Sequence, residues 1–325
     1  MENVRWGMIG CGDVTEVKSG LAFSKIKNSS LVAVMRRDEA KVKDYAARHQ
    51  VAKWYTDADN LINDSEVNAI YIATPPSSHK EFALLAMAAG KPVYVEKPMT
   101  MNAAEANEIA AFAQQKNIKF TVAHYRRAQP KFKKLQQLLN DKAIGEVRLV
   151  QLNYFRKGLT AEELSVPKTA WRVSAESSGG GFFHDIAPHQ LDLMLHYFGE
   201  AKTINGLSKN QSNIYPATDI VTGQIEFLSG VMFSGSWCFN VDPSAEEDKI
   251  EIIGSKGKIV FSAFTDNNIA LINEQGKTVF SFDELQHVQQ PMIEEVVRYF
   301  LGEAENPCTA DDGVTVMEWI DAFTK

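Results

Sequence analysis

Short apolar runs alternate with helix-like segments through the first 123 residues of this chain. The runs are rich in valine, isoleucine and other apolar residues, and the amphipathic pattern at 38–49 is typical of the segments between them. Strands spaced in this way predict a doubly wound parallel sheet, with a ligand site at the carboxyl ends of the strands. The predicted strands are a run that ends at residue 9 and the runs at 31–35, 54–55, 69–73, 92–95 and 120–123.

The first strand leads into a tight glycine turn, Gly10-Cys11-Gly12-Asp13-Val14, ahead of a predicted helix. Gly10 permits the sharp turn, and Gly12 has no side chain to keep a pyrophosphate from the amino end of that helix. Thr15 stands where a third glycine or alanine is usual in this fingerprint. A plain tight turn would account for the same glycine pair, so a dinucleotide site needs support from the rest of the chain.

That support comes from the carboxyl ends of the other strands. Distinctive sequence follows five predicted strands, at 10–14, 36–38, 73–79, 96–98 and 124–127. Such segments meet at one edge of a parallel sheet, so together they predict a ligand site there. Two of the helices between strands carry predicted amino-terminal caps, Ser78 with Glu81 and Asn102 with Glu105.

The composition is typical of a two-domain enzyme. A net charge of −7 and a pI of about 5.6 argue against a nucleic-acid partner or an anionic membrane surface. No apolar run is long enough to span a bilayer, and the first strand begins too early to leave room for a signal peptide. Cys11, Cys238 and Cys308 are odd in number and lack metal-ligand spacing, so we expect a reducing, cytoplasmic compartment.

From about residue 124 the pattern changes to hairpins. Residues 147–155 indicate a long strand, and paired apolar runs flank short turns at 229–230 and 254–257. These pairs predict an open, largely antiparallel or mixed sheet.

The two patterns together predict an α/β protein with a nucleotide-binding domain at 1–123 and a second α/β domain at 124–325. A sheet with helices on one face leaves its other face to be covered, which favours a homodimer or a homotetramer.

The segment Glu96-Lys97-Pro98 follows the fifth predicted strand. A lysine at a buried strand end is costly unless it has a partner or a task, and Lys97 would place an ammonium in the cleft. Pro98 fixes the local turn, for which a cis bond is an option. The alternative is a solvated lysine in a surface loop.

Residues 179–192 combine three glycines with two histidines and two acids. We expect a helix to begin near Asp185, because Pro188 is tolerated only in a first turn. Asp185, His189 and Asp192 then share one helical face. His189 can exchange a proton with a substrate oxygen, Asp185 would orient the substrate or the imidazole, and Asp192 would hold the far ring nitrogen. The alternative is a helix terminus stabilised by Asp185, with His189 in the core.

A metal site is not expected in this segment. His184 and His189 are five positions apart and do not line one helical face, and no cysteine lies nearby.

Four motifs together resemble the Gfo/Idh/MocA family, which includes glucose-fructose oxidoreductase and inositol 2-dehydrogenase. They are GCGDV at 10–14, ATPPSSH at 73–79, EKP at 96–98 and GGGFFHDIAPHQLD at 179–192. The resemblance covers essentially the whole chain. It implies an amino-terminal Rossmann domain, a carboxyl-terminal α/β domain with an open sheet, and an NAD- or NADP-dependent reaction on sugars, polyols or related carbonyl compounds.

The resemblance also implies roles for single residues. Lys97 would contact substrate and nicotinamide, Asp185 and His189 would form the active-site pair with His189 as acid/base, and Asp192 matches a further family acid. Arg172, in a Trp-Arg pair, would reach the substrate or support the loop before the glycines. The positions at which the cofactor is expected are Gly10, Cys11, Gly12, Asp13, Val14, Arg36, Arg37, Thr74, Pro75, His79, Glu96, Lys97 and Arg127.

Two arginines bear on the choice of cofactor. NAD enzymes place an acid at the end of the second strand, whereas an arginine there suits a 2′-phosphate. This chain has Arg36-Arg37-Asp38, and a planar guanidinium can hold a phosphate through two hydrogen bonds. NADP is therefore expected ahead of NAD. The alternative is a pair of solvated charges that precede a helix capped by Asp38.

The function that these residues predict is hydride transfer between a nicotinamide and a hydroxyl or carbonyl carbon of a small substrate. His189 would exchange the proton, Lys97 would stabilise charge on the oxygen, and Asp185 would fix a neighbouring hydroxyl. Two alternatives belong to other classes. One is a glycoside hydrolase that uses NAD transiently, and the other is a non-catalytic nucleotide-binding regulator.

Overall fold

The computed structural model describes the backbone of residues 1–325 and all side chains except those of residues 17, 167, 168, 175 and 176. The chain forms two compact units. The first comprises residues 1–129 and 285–315, and the second comprises residues 130–284 and 316–325.

The first unit is built on a six-stranded parallel sheet with strand order β3-β2-β1-β4-β5-β6. This order confirms the doubly wound sheet that the alternating pattern predicts, and all six predicted strands are present. The strands are β1 (Val4–Ile9), β2 (Ser29–Met35), β3 (Lys53–Tyr55), β4 (Ala69–Ile72), β5 (Val93–Val95) and β6 (Phe120–Val122).

Helices connect these strands, as a parallel sheet requires. A short π-helix (Thr15–Ser19) and a 3₁₀ turn (Phe23–Lys25) follow β1. The α-helices between these strands are α1 (Glu39–Arg48), α2 (Ala58–Ile62), α3 (His79–Ala88) and α4 (Ala103–Lys116), and 3₁₀ turns lie at Pro76–Ser78 and Tyr125–Ala128.

The two predicted caps have different outcomes. Asn102 caps α4 and accepts a hydrogen bond from the backbone N–H of Glu105, whose carboxylate accepts the N–H of Met101. The predicted cap of α3 is wrong, because Ser78 makes no capping hydrogen bond. Its hydroxyl lies instead within hydrogen-bonding distance of the Thr74 hydroxyl (2.8 Å) and the Pro75 carbonyl (3.1 Å), in the turn before the helix.

A segment near the carboxyl terminus completes the core of the first unit. Helix α10 (Gln290–Leu301) buries Met292, Ile293, Val296 and Phe300 in the same apolar cluster as Trp6 of β1. These units differ from the predicted domains at 1–123 and 124–325, because residues 285–315 belong to the first unit. The amphipathic face of α10 explains the difference, since its apolar stripe is buried against the parallel sheet.

The second unit is built on an eight-stranded mixed sheet with order β14-β13-β12-β11-β7-β10-β9-β8. The prediction of an open, largely antiparallel or mixed sheet is confirmed, since β7 and β10 form its one parallel pair among the pairs described. The strands are β7 (Val147–Lys157), β8 (Ala201–Lys209), β9 (Ile220–Phe227), β10 (Met232–Val241), β11 (Glu247–Gly254), β12 (Gly257–Phe261), β13 (Asn268–Asn273) and β14 (Gly276–Ser281).

The longest of the remaining helices is α9, which begins three residues earlier than predicted. It starts at Phe182 instead of near Asp185 and continues through Pro188. Proline in a helix interior removes one hydrogen bond and costs about 3 kcal/mol. The helix persists because Leu191, Leu193 and Met194 beyond the proline are fully buried. The helices are α5 (Pro130–Asn140), α6 (Ala161–Ser165), α7 (Pro167–Val173), α8 (Ala175–Ser178), α9 (Phe182–Phe198) and α11 (Ala310–Thr324).

Within the described part of the chain, none of the helices combines the length and the apolar character needed to cross a bilayer.

Candidate functional site

The glycine turn after β1 has the geometry that the fingerprint predicts. Gly10 has φ +95°, and its N–H donates to the carbonyl of Met35 at 2.9 Å. A Cβ at Gly10 would lie 2.7 Å from Thr74 and 2.8 Å from the backbone of Ala73, so no other residue fits. Thr15, which replaces the usual third glycine or alanine, donates its hydroxyl hydrogen to the carbonyl of Gly12 at 2.8 Å. Its side chain therefore stabilises the turn through a hydrogen bond.

Gly12 is not required by packing, because a Cβ added there would meet nothing within 4 Å. The lack of a side chain keeps space open at the turn, which is what the approach of a pyrophosphate needs. This space belongs to a cleft of about 790 Å³ at the carboxyl ends of β1, β2 and β4. Phe82 and Leu85 give the cleft apolar surface, and the residues present therefore fit a dinucleotide.

The two predicted phosphate ligands line this cleft together with Asp38. Arg36 donates from its guanidinium to the carbonyl of Cys11 at 3.1 Å, so its side chain lies over the glycine turn. Arg37 is exposed. Asp38 caps α1 by accepting the N–H of Lys41 at 3.1 Å, and its second oxygen pairs with the Lys41 ammonium at 3.1 Å. Both carboxylate oxygens of Asp38, the acid nearest the end of β2, are thus bound to Lys41 of α1.

Cys11 and His79, two expected cofactor contacts, have no accessible surface. Burial raises the pKa of the Cys11 thiol to about 11, so it is protonated at neutral pH. The ring nitrogens of His79 lie 2.8 Å from the carbonyl of Thr74 and 3.0 Å from that of Pro98. His79 therefore links the loops after β4 and β5, and its burial leaves no surface for direct contact with a cofactor. Burial also lowers its pKa.

The segment after β5 carries a buried carboxylate beside a partly exposed lysine. Glu96 accepts hydrogen bonds from the hydroxyl of Tyr71 and the side-chain amide of Gln289, both at 2.6 Å. Burial, together with the charge of Glu96, raises the pKa of Tyr71 well above its usual value. Lys97 is partly exposed, and the bond between Lys97 and Pro98 is cis.

Arg127, another expected cofactor contact, is buried in an ion pair. Its guanidinium lies 3.2 Å from the carboxylate of Asp312 in the carboxyl-terminal segment of the same unit. Asp312 also accepts the N–H and hydroxyl of Thr309. Although its burial acts in the opposite direction, these partners hold the pKa of Asp312 below its usual value. This pair ties the turn after β6 to the start of α11, which is a structural task.

In the second unit, both residues of the predicted active-site pair lie on helix α9. Asp185 and His189 are four residues apart, and Asp192 follows at a buried position. The Arg172 Nε donates to Asp185 at 3.1 Å, and the guanidinium also lies 5.1 Å from the ring centroid of Trp171. Asp185 and Arg172 are both partly exposed, whereas His189 is 4% exposed.

The other histidine of this segment, His184, is also buried. Its ring lies against Gly180, where a Cβ would approach it to 2.1 Å. Burial lowers the pKa of His184 to about 4, so its imidazole is neutral near pH 7. Among the described side chains, no group of three or more His, Cys, Asp or Glu residues is placed to hold a metal ion.

The structure also brings in residues that sequence reasoning did not select. Tyr71 and Gln289 contact Glu96, and Phe264 packs edge-on against His189 with ring centroids 5.6 Å apart. Tyr71 lies in a predicted strand, so its hydroxyl could have been selected from the sequence as a candidate partner near the strand ends. Gln289 and Phe264 lie outside any motif, and no local signal marks them.

Comparison with known proteins agrees with this architecture. A sequence model of an oxidoreductase family with an NAD-binding Rossmann fold matches residues 4–124, and a model of the GFO/IDH/MocA C-terminal domain matches residues 132–260. The chain is therefore an NAD(P)-binding oxidoreductase with a Rossmann domain. It belongs to the Gfo/Idh/MocA family, as its four motifs predict.

Individual relatives extend this result over nearly the whole chain. Oxidoreductase P35 of Formosa agariphila is 45% identical over 320 residues, which cover 98% of each protein. Trans-1,2-dihydrobenzene-1,2-diol dehydrogenase of Bos taurus is 29% identical over 255 residues, or 78% of this chain and 72% of the relative. A levoglucosan dehydrogenase in complex with NADH and levoglucosan has a similar fold, with a TM-score of 0.89 at 20% identity and coverage of 99% and 96%.

Proposed function

We propose that this chain is a dehydrogenase or reductase that interconverts a hydroxyl and a carbonyl group on a sugar, a polyol or a related small carbonyl compound. The observation that carries the proposal is the arrangement on α9, where Asp185, paired with Arg172, lies one helical turn before His189. An ionic hydrogen-bonding pair beside an imidazole suits a substrate with neighbouring oxygen atoms. Two relatives support this class, since dihydrobenzenediol and levoglucosan both carry hydroxyl groups on a ring.

Each residue has a separate task in this proposal. His189 gives a proton to the substrate oxygen in reduction and takes it away in oxidation. Lys97 stabilises negative charge on that oxygen, and Asp185 with Arg172 orients a neighbouring hydroxyl. The bound nicotinamide would supply or accept the hydride. The remaining contribution of the chain is to fix these groups before reaction, so that little reorganisation is needed.

We propose that the cofactor is NADP in preference to NAD. Arg36 and Arg37 line the cleft, and Asp38 is engaged as the cap of α1. A carboxylate already occupied by its helix is a poor partner for ribose hydroxyls, whereas two guanidinium groups suit a phosphate. The rest of the binding surface would be formed by Gly10, Gly12, Asp13, Val14, Thr74 and Pro75. The loops that carry this surface would be held in place by the buried residues His79, Glu96 and Arg127.

We also propose that the enzyme forms a homodimer or homotetramer. The mixed sheet exposes large apolar side chains in several strands, among them Leu207 (77% exposed), Met232 (48%) and Val279 (51%). Exposed apolar surface on a sheet favours burial against another subunit. Analytical ultracentrifugation of the purified protein at several concentrations tests this, and a monomer at all of them would contradict it.

The function is tested by a substrate screen with the purified protein. Sugars, inositols, anhydro-sugars, dicarbonyl compounds and diols are each offered with NADP, NADPH, NAD and NADH, and nicotinamide absorbance is followed. A net change that requires His189 supports the proposal. Release of a sugar from a glycoside without net change would identify a glycoside hydrolase instead. Nucleotide binding without turnover on any substrate would favour a regulator.

A further inference from the structure

One carboxylate binds three consecutive backbone N–H groups of a short loop in the second unit. Residues 262–266 connect β12 to β13. Asp248, on β11, accepts the backbone N–H groups of Ala263 (3.0 Å), Phe264 (2.6 Å) and Thr265 (3.0 Å). Three consecutive N–H groups on one carboxylate hold a loop in a single backbone conformation, because hydrogen bonds to charged acceptors are the strong ones.

A buried lysine fixes the carbonyl side of the same loop. Lys131, in the first turn of α5, is 5% exposed and donates to the carbonyls of Ser262 (2.7 Å) and Asp266 (2.6 Å). Burying an ammonium is expensive unless it is well hydrogen-bonded. Lys131 and Asp248 thus bind the two ends and the centre of one short loop, which we call the 262–266 loop.

The 262–266 loop places one aromatic ring against the proposed acid/base residue. The ring of Phe264 meets the imidazole of His189 edge-on, with centroids 5.6 Å apart and planes at 73°. It also meets Tyr154 in the same manner, at 5.4 Å and 66°. Tyr154 lies opposite Asp248 in the register of β7 and β11, so the residue that anchors the loop and the aromatic surface beneath it come from one pair of strands.

We propose that Asp248 and Lys131 are positioning residues for His189, because they fix the loop that seats Phe264 against its imidazole. The inference rests on the acid/base role of His189 in the proposed function. An imidazole that exchanges a proton with a substrate must keep its ring orientation, and a displacement of about 1 Å can cost 100-fold in rate. Phe264 limits rotation of that ring from one side, and Asp248 keeps Phe264 in place.

The variants that test the inference are Asp248→Asn and Phe264→Leu. Asp248→Asn keeps the size of the side chain but removes the charge that binds three N–H groups. Phe264→Leu keeps an apolar side chain and removes the ring edge. Asp242→Asn is the matched control, since Asp242 binds the N–H of Ser244 in an exposed turn of the same unit.

Turnover and NMR provide two readouts. In both test variants we expect kcat to fall about 10- to 100-fold, with an unchanged KM for the nicotinamide cofactor. The ring resonances of ¹³C-labelled histidine report the orientation of His189 without substrate, and the change His189→Gln assigns its signals among the seven histidines. We expect these signals to move in Asp248→Asn and to stay in place in Asp242→Asn. In Phe264→Leu the loss of the aromatic ring current moves them in any case, so kcat is the readout for that variant.

The outcomes separate this inference from the proposed function. Folded Asp248→Asn and Phe264→Leu proteins with wild-type kcat, together with unmoved His189 signals in Asp248→Asn, would overturn it. If Asp248→Asn does not fold, the kcat of Phe264→Leu decides the matter, and a wild-type value would overturn the inference. If the wild-type protein turns over no substrate, the proposed function fails, and the His189 signals alone then show whether the 262–266 loop positions the imidazole.

Discussion

The side-chain amide of Gln289 donates a hydrogen bond to the carboxylate of Glu96 at 2.6 Å, although 193 positions separate the two residues. Tyr71 donates to the same oxygen of Glu96, also at 2.6 Å. Glu96 is 6% exposed and Gln289 and Tyr71 are fully buried. A buried carboxylate is stable only when it is hydrogen-bonded, so the residue that precedes Lys97 depends on a segment from the far end of the chain.

Gln289→Ala should therefore destabilise the first unit. A hydrogen bond to a charged group contributes about 1.5–3 kcal/mol, and we expect a loss of that order in the free energy of unfolding measured with urea. Gln286→Ala removes the same side chain from an exposed position three residues earlier and should cost at most about 0.5 kcal/mol. Equal effects of the two substitutions would show that the contact with Glu96 contributes nothing.

The joint change of Arg36→Ala and Arg37→Ala should weaken NADPH binding about 10- to 100-fold, because charge-assisted hydrogen bonds to the 2′-phosphate are lost. NADH has no such phosphate, so its affinity should change much less. Titration calorimetry with each cofactor measures both values. Arg5→Ala, near the amino end of β1, is the control. The proposed preference is wrong if the wild-type protein binds NADH as tightly as NADPH.

His189→Gln should reduce kcat about 100-fold or more, which is the usual contribution of a general acid/base residue. Lys97→Met should also impair turnover, since it removes the charge that stabilises the substrate oxygen. Cofactor affinity should survive in His189→Gln. His196→Gln, at an exposed position of the same helix, should retain full activity. Normal turnover in the His189 variant would remove it from the mechanism.

The free energy of unfolding should decrease as the pH is lowered, because His184 is buried in its neutral form. Burial lowers its pKa in the folded protein to about 4, whereas an unfolded histidine titrates near 6.5. Between these values only the unfolded chain takes up the proton. The contribution of His184 is therefore complete above pH 6.5 or so and is lost toward pH 4, at up to roughly 1.4 kcal/mol per pH unit.

Urea unfolding at several pH values between 7 and 5 measures this slope. His184→Gln should flatten it, and His196→Gln should leave it as in the wild-type protein. A slope that is the same in all three proteins would mean that His184 takes up its proton equally well in the folded state.

Local patterns were enough to predict the parts of the fold that are themselves local. The strand ends, the glycine turn at Gly10 and the hairpin at Gly230 follow from side-chain period and backbone sterics within a few residues. The start of α9 could not be predicted from local patterns. Pro188 is disfavoured in a helix interior, and its cost is outweighed by the burial of Leu191 and Leu193, which the local sequence does not reveal.

The same distinction applies to the candidate site. Lys97, Asp185 and His189 lie in motifs with a chemical signature, so the sequence alone selects them as candidates. The contacts of Gln289, Asp248 and Phe264 depend on the fold, and the sequence around each residue gives no sign of its partner. Arg127 and His79, which lie near ligand-binding strand ends, are held by protein contacts with Asp312 and Thr74 that the sequence motifs do not reveal.

The discontinuous first unit has a consequence for synthesis on the ribosome. Its sheet is complete once residue 129 has emerged, yet Trp6 and its apolar neighbours still lack the cover of α10. More than a hundred residues of the other unit must be made before that cover arrives. During that interval the nascent nucleotide-binding half exposes apolar surface that favours aggregation. Chaperone binding would therefore protect this enzyme most at that stage of synthesis.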